Sequence, residues 1–139
     1  MKFKQLILAV VATALAVSSC DKEKTDIGFE LGQQFALAFQ QTAISTDGTI
    51  EVRFKERLTD SRCPTDVVCV WEGEASIAID VTVNNIDEQI SLSTHPEFGQ
   101  KDTVGQLVFT LVDLQPYPCC HDQEIDQEAY VAELLVESL

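Results

Sequence analysis

The sequence predicts an all-β fold, a single antiparallel β-sandwich or small barrel of six or seven strands, and three features predict it. Strongly apolar residues recur at every second position over several short runs, as half-buried strands require. Turn-forming pairs, Asp47-Gly48 and Asn84-Asn85, lie between those runs. Several short strands separated by turns within about 105 residues suit a sandwich or barrel.

The elements follow in order. Phe35, Leu37 and Phe39 alternate with Ala36 and Ala38, giving a strand with one strongly apolar face. Asp47-Gly48 supplies a hairpin signal before Ile50, Val52 and Phe54, which alternate with Glu51, Arg53 and Lys55. A third strand is expected from near Val68, with Ala75, Ile77, Ile79, Val81 and Val83 on one face. Asn84-Asn85 turns it back into Gln89–Ser93, with Ile90 and Leu92 inward. Leu107–Leu114 is apolar on both faces, which fits a central strand, and Pro116 and Pro118 stop it. The final segment fits two patterns. Ile125, Ala129, Ala132 and Val136 make a helical stripe, whereas Tyr130, Ala132, Leu134 and Val136 make a strand face. Its Ala, Glu and Leu content favours a helix. The surrounding sheet favours a strand, and a strand is expected.

The chain has 139 residues, 45% of them apolar, enough for one domain with a real core. Its formal net charge of −14 argues against a nucleic-acid partner, because phosphate contacts need an excess of Lys and Arg.

The chain opens with an export signal. Lys2 and Lys4 precede an apolar run from Leu6 to Val17, broken only by Thr13. That run is shorter than the ~20 residues that span a bilayer, and with its basic start it reads as a signal peptide. It ends Ala16-Val17-Ser18-Ser19-Cys20, which resembles the lipobox of bacterial lipoproteins. The resemblance implies cleavage before Cys20, diacylation of its thiol and, usually, acylation of the new amino end. Three units are therefore expected: a signal peptide over 1–19, the lipidated Cys20 with a polar tether over 20–32, and a β domain over 33–139. Loss of Lys2 and Lys4 leaves seven cations against 23 carboxylates, a mature charge of −16. Anionic headgroups repel such a chain, so the covalent lipid on Cys20 must anchor it. The charged residues Asp21-Lys22-Glu23-Lys24 resemble Bacteroidota signals for export to the cell surface.

An exported chain meets an oxidising compartment, where thiols pair. Besides Cys20 it carries Cys63, Cys69, Cys119 and Cys120, and these four allow three pairings. Cys63 and Cys69 bound a short loop, with Pro64 setting a turn, and a bridge between them is favoured as a staple. Closing it is worth about 2.3 kcal/mol on the loop-entropy model.

Asp60-Ser61-Arg62-Cys63-Pro64 followed by Cys69-Val70-Trp71-Glu72-Gly73 resembles an element of small, uncharacterised Bacteroidota-like lipoproteins. Their shared pattern is Arg-Cys-Pro, four residues, then Cys-x-Trp-x-Gly leading into a strand. Pro116-Tyr117-Pro118 matches a second feature of that group. The resemblance implies a fold and an address but no reaction. Cys119 and Cys120 stand outside the pattern.

Those adjacent cysteines form a possible vicinal disulfide, whose small ring strains the peptide between them. Free thiols and cross-pairing with Cys63 or Cys69 are the other thiol states. A metal site is the alternative chemistry: Cys119, Cys120, His121 and Asp122 are ligand types that suit zinc or copper if a turn gathers them. Asp122, Glu124, Asp126 and Glu133 fall at positions of a calcium-loop template, but its central glycine is replaced by Gln127, so a solvated acidic loop is expected. No metal is favoured, and no cofactor is expected beyond the lipid.

Catalytic constellations are mostly absent. The sequence holds two histidines, His95 and His121, and no nucleophile elbow, metalloprotease motif or glycine-rich phosphate loop. His95-Pro96 reads as a loop. Glu72 and Glu74 are expected on one solvent-facing strand face beside Trp71, and a sugar-cleaving pair is disfavoured because no distant partner acid is evident.

The expectation is a non-enzymatic envelope lipoprotein of the outer membrane, on its periplasmic face or at the cell surface, whose β domain binds or assembles with a protein or glycan partner. The contact surface is expected in Arg62–Gly73, with Arg62, Trp71, Glu72 and Glu74 as contact residues, since Arg and Trp dominate binding hot spots. Trp71 packed on the Cys63–Cys69 bridge is the structural alternative. A metal-binding or thiol-active protein using Cys119, Cys120 and His121, and a protease inhibitor presenting the Cys63–Cys69 loop, are the competing functions.

Overall fold

Asp47 and Gly48 close the hairpin their sequence predicts. The Asp47 carboxylate accepts hydrogen bonds from Ser45 Oγ (2.6 Å), the Thr49 amide (3.0 Å) and Thr49 Oγ (2.8 Å), and Gly48 takes a left-handed φ of 72°. The bond from Ser45, then those from Thr49, hold the Asp47 carboxyl below its ordinary pKa. At Asn84-Asn85 both residues take positive φ (49° and 65°), the conformation a two-residue hairpin turn needs.

The computed structural model describes residues 25–139. The expected signal peptide, Cys20 and the Asp21–Lys24 part of the tether lie outside them. Among the described residues there are nine strands: β1 (Ile27–Phe29), β2 (Gln34–Ala38), β3 (Thr42–Ser45), β4 (Ile50–Asp60), β5 (Ala75–Val83), β6 (Ile86–Ser93), β7 (Lys101–Val104), β8 (Leu107–Gln115) and β9 (Val131–Ser138). They form a five-stranded sheet, β1-β3-β4-β5-β6, and a four-stranded sheet, β2-β9-β8-β7. Neighbours are antiparallel except β1 and β3, which run parallel. Val52, Phe54, Ile77 and Ile79 of the first sheet meet Leu37, Phe109, Leu111 and Leu134 of the second in one buried core. The fold is a β-sandwich, and the sheets do not close into a barrel.

The count exceeds the expected six or seven because β1, β3 and β7 are only three or four residues long, too short for alternation to show. The Asp47-Gly48 hairpin joins β3 to β4, while β2 crosses to the other sheet and pairs with β9. Ile27–Phe29 pairs with β3, and Phe29 is buried against the core, so the sandwich starts inside the stretch assigned to the tether. The last segment is a strand, with Tyr130, Ala132, Leu134 and Val136 buried. Only Gln127–Ala129 makes a helical turn there, of 3₁₀ type. The helical stripe loses because β2 and β8 flank this segment and satisfy its backbone as a strand.

β5 begins at Ala75, not near Val68, whose side chain is wholly exposed. The segment between folds back on itself. Ser61 N donates to Glu74 O (2.7 Å) and Cys63 N to Glu72 O (2.8 Å), so the β4–β5 ladder continues as a narrow, irregular ribbon beyond Asp60. Register shifts at Phe54/Glu56 and Arg57/Thr59 bend β4 ahead of it.

Candidate functional site

Cys63 and Cys69 close the ribbon's tip as a disulfide, as their spacing predicts, with a Cα–Cα distance of 5.9 Å. Beneath the tip, the Arg62 guanidinium grips the Asp60 carboxylate with two hydrogen bonds, Nε to Oδ1 at 2.8 Å and Nη2 to Oδ2 at 2.7 Å. Nη1 donates to the carbonyl of Leu114 (2.5 Å), Nη2 donates also to that of Pro116 (3.0 Å), and the Tyr117 ring lies 4.9 Å from the charge. Tyr130 Oη donates to the second oxygen of Asp60 (2.8 Å). Burial opposes the charge on Asp60, but hydrogen bonds from Arg62 and Tyr130 outweigh it and keep the carboxyl below its usual pKa. Burial likewise opposes the charge on Arg62, and Asp60 outweighs it. The same network pushes the Tyr130 hydroxyl up to about 12, burial first and Asp60 second.

Arg62 is therefore not a contact residue. It is 6% exposed, each of its guanidinium nitrogens donates a hydrogen bond, and it ties the stapled loop to the end of β8. Pro116-Tyr117-Pro118 makes the other half of that joint: Pro118 O accepts from Thr65 N (3.1 Å), and Cys119 O from Thr65 Oγ (3.1 Å). The two sequence elements singled out by resemblance thus bind each other.

Trp71 is not consumed by this joint. It is 81% exposed, which removes the alternative that it packs on the bridge. Val68 and Val70 are fully exposed beside it, and Val67 partly so. The ribbon's tip thus holds four apolar side chains in water, Val67 and Val68 inside the disulfide-closed ring and Val70 and Trp71 just after it.

An open groove of about 630 Å³ runs behind the tip, walled by Trp71, Glu72, Glu74, His95, Glu97 and Phe98. A smaller hollow of about 240 Å³ shares Glu72, Gly73 and His95 with it and reaches Tyr117 and Asp113. Glu72 and Glu74 do not share a strand face, because Gly73 turns the chain between them with φ of 69°. Glu72 reaches His95 (Oε1 to Nε2, 3.2 Å), and Glu74 accepts a short hydrogen bond from Ser93 Oγ. His95 is a loop residue, as expected, capping the turn Pro96–Phe98 through Nδ1, which accepts from Glu97 N (3.2 Å). With Nδ1 accepting, Nε2 carries the proton shared with Glu72. Phe98 is 63% exposed, its ring centre 4.9 Å from that of His95. Sequence reasoning missed Glu97 and Phe98; a lone aromatic inside a Pro-Glu-Phe-Gly loop, where nothing needs burying, was the available signal.

Cys119 and Cys120 are free thiols in contact, their sulfurs 2.9 Å apart, and no vicinal disulfide joins them. Cross-pairing is excluded because Cys63 and Cys69 bond each other. The hydrogen bond shared with Cys119, then burial and the nearby charges of Asp66 and Asp122, push the Cys120 thiol up to about 11. His121 is turned across the joint, with Nδ1 3.0 Å from Asp66 Oδ2, and that contact foremost holds the Asp66 carboxyl low. Among the described residues, no three His, Cys, Asp or Glu side chains are gathered as a metal ion requires, Cys119, Cys120, His121 and Asp122 included. The calcium-template residues are likewise dispersed. Asp122, Glu124 and Asp126 lie in the loop before β9, and Glu133 sits on the strand opposite Ala36 and Asp113.

No protein-family model, curated protein or solved structure matches the chain significantly.

Proposed function

We propose that this protein is a lipid-anchored envelope lipoprotein, held at the outer membrane through Cys20, whose sandwich is a non-catalytic binding module. One observation carries the reading: Val67, Val68, Val70 and Trp71 stand in water on a loop that the disulfide and the Asp60–Arg62 pair keep from collapsing. Arg62, Cys63, Thr65, Asp66 and Cys69 are taken up by the staple and the joint, and these four side chains are not. Burying such side chains against a partner is worth about 1.5–3 kcal/mol each, the scale at which a few residues dominate an interface. A rigid loop also loses little entropy on docking. The partner is a protein or a glycan of the envelope.

Two experiments test this. In cells fed an alkyne-bearing palmitate, the protein should take up label and Cys20→Ser should lose it; an unlabelled wild-type protein removes the anchor from the proposal. A photo-crosslinking residue at position 68 or 71 should yield one discrete adduct in intact envelopes. A probe at Asp87, at the far end of the β5–β6 hairpin from the ribbon, should not. Equal adducts from both positions, or none from the loop, would refute the loop as contact surface.

The protease-inhibitor reading draws on the same exposed, disulfide-closed loop. Titration against a panel of serine and cysteine proteases separates it: slowed proteolysis supports it, and unaltered rates across the panel remove it.

A further inference from the structure

We infer that the groove behind Trp71 receives a basic segment of a partner protein, with Lys or Arg side chains laid between the indole of Trp71 and the carboxylates of Glu72 and Glu97. The inference rests on the stapled loop being a contact surface and names the chemistry of what it contacts.

Aromatic and acidic side chains line the groove together. Trp71 and Phe98 expose their rings, and Glu72, Glu74 and Glu97 stand among them. Beside them, Asp113 lines the adjoining hollow. Among the described residues, the one Lys or Arg lining these hollows, Arg62, is buried and already neutralised by Asp60. Glu72 finds only the ring of His95, and Glu97 makes no ion pair with Arg53, Lys55, Arg57, Arg62 or Lys101. An indole face with uncompensated carboxylates around it is the arrangement that attracts an ammonium or guanidinium group. The charge of −14 on the whole chain adds long-range attraction of the same sign.

A glycan is the less suitable occupant. Sugar hydroxyls need donors as well as acceptors, and the groove's side chains offer no Asn, Gln, Lys or free Arg. An anionic membrane surface is unsuitable too, because the acids beside the apolar tip would face like charge.

Trp71 is the sole tryptophan of the chain, so its emission reports this site alone. The purified protein is titrated with blocked octapeptides of alternating lysine and glycine, or arginine and glycine. A glutamate–glycine peptide, chito- and cello-oligosaccharides, and phosphatidylcholine vesicles serve as comparisons. The cationic peptides should shift the emission saturably, and added salt should weaken the effect. The double substitution Glu72→Gln with Glu97→Gln should weaken binding about tenfold, and Trp71→Ala, followed by calorimetry, by a similar factor. Glu74 is left intact because it is bonded to Ser93. Silence with both cationic peptides, or an equal response to the glutamate peptide, overturns the inference. A response to oligosaccharides or vesicles alone also overturns it, yet leaves the loop as a contact surface. Silence with every probe, joined to a failed crosslink from position 71, overturns both.

Discussion

A β-carbon on Gly73 would lie 1.9 Å from the carbonyl oxygen of Ser61 and 2.7 Å from its carbonyl carbon. Both are backbone atoms of the facing ribbon strand, held there by the bond from Ser61 N to Glu74 O. The same residue has φ of 69°, where an L side chain is strained. Glycine ends the Cys-x-Trp-x-Gly element because the ribbon leaves no room for anything else.

Gly73→Ala should therefore be among the most destabilising substitutions outside the core, by about 2–4 kcal/mol from combined strain and displaced backbone. Thermal denaturation of the variant checks it. Gly48→Ala is the matched comparison: φ is also positive there, but nothing lies within 4 Å of a new β-carbon, so the loss should be smaller. Equal losses at the two positions would refute the close-approach argument.

Trp71→Ala should leave thermal stability within about 0.5 kcal/mol of the wild type, as for a surface residue with no structural role. Arg62→Met at the foot of the same loop should cost several times more. It leaves the Asp60 carboxylate buried without its partner, a loss of about 3–5 kcal/mol for such pairs. The ratio of the two effects is the informative quantity. A large loss at Trp71 would mean that the ring packs in solution, and would end its candidacy as an anchor.

The Asp60–Arg62–Tyr130 network sets a pH window. The Asp60 pKa is depressed in the folded protein, so its contribution is present above the ordinary carboxylate value, near 4, and fades as pH falls below it. The Tyr130 pKa is raised to about 12, so its contribution is complete below the unfolded value near 10 and is lost as pH climbs toward 12. Denaturant midpoints should hold between those limits and fall on the alkaline side over pH 10 to 12. In Tyr130→Phe the alkaline fall should flatten, and a fall of unchanged depth would assign it to another group.

What the sequence disclosed follows its physics. Alternation revealed β4, β5 and β9 because each buries one face, and a run apolar on both faces revealed β8. Neither could reveal β7, whose Lys101-Asp102-Thr103 is wholly polar and which is held by pairing with β8. At the site, cysteine spacing disclosed the staple. The composition rule that favours Arg at interfaces misassigned Arg62, because sequence alone does not show that Asp60, two residues earlier, would fold back onto it. For Trp71 the sequence left two placements open, on the contact surface or packed on the bridge, since indoles are buried more often than not, and the ring is exposed. Phe98 and Glu97 join the groove only through the fold: Ser93 and Thr94 bond to Gly99 and Ala75, which brings the Pro96–Phe98 turn beside the ribbon.

The paired thiols yield the last expectation. Cys119 is exposed and Cys120 half-buried, their sulfurs in contact and unbonded, while Cys63 and Cys69 are joined. The purified protein should then carry one intramolecular disulfide in the described domain and accept two alkyl groups from iodoacetamide at Cys119 and Cys120. Only the thiolate attacks, and the Cys120 thiol is pushed up to about 11. Alkylation at Cys120 should therefore be slow near neutral pH and accelerate through the range up to 11. Cys119→Ala removes the leading cause of that shift, so Cys120 should react faster at neutral pH in the variant. Peptide mapping of the alkylated sites at several pH values reads both effects. A linked Cys119–Cys120 peptide, with no alkylation at either residue, would show instead that the pair closes in the compartment where the protein folds.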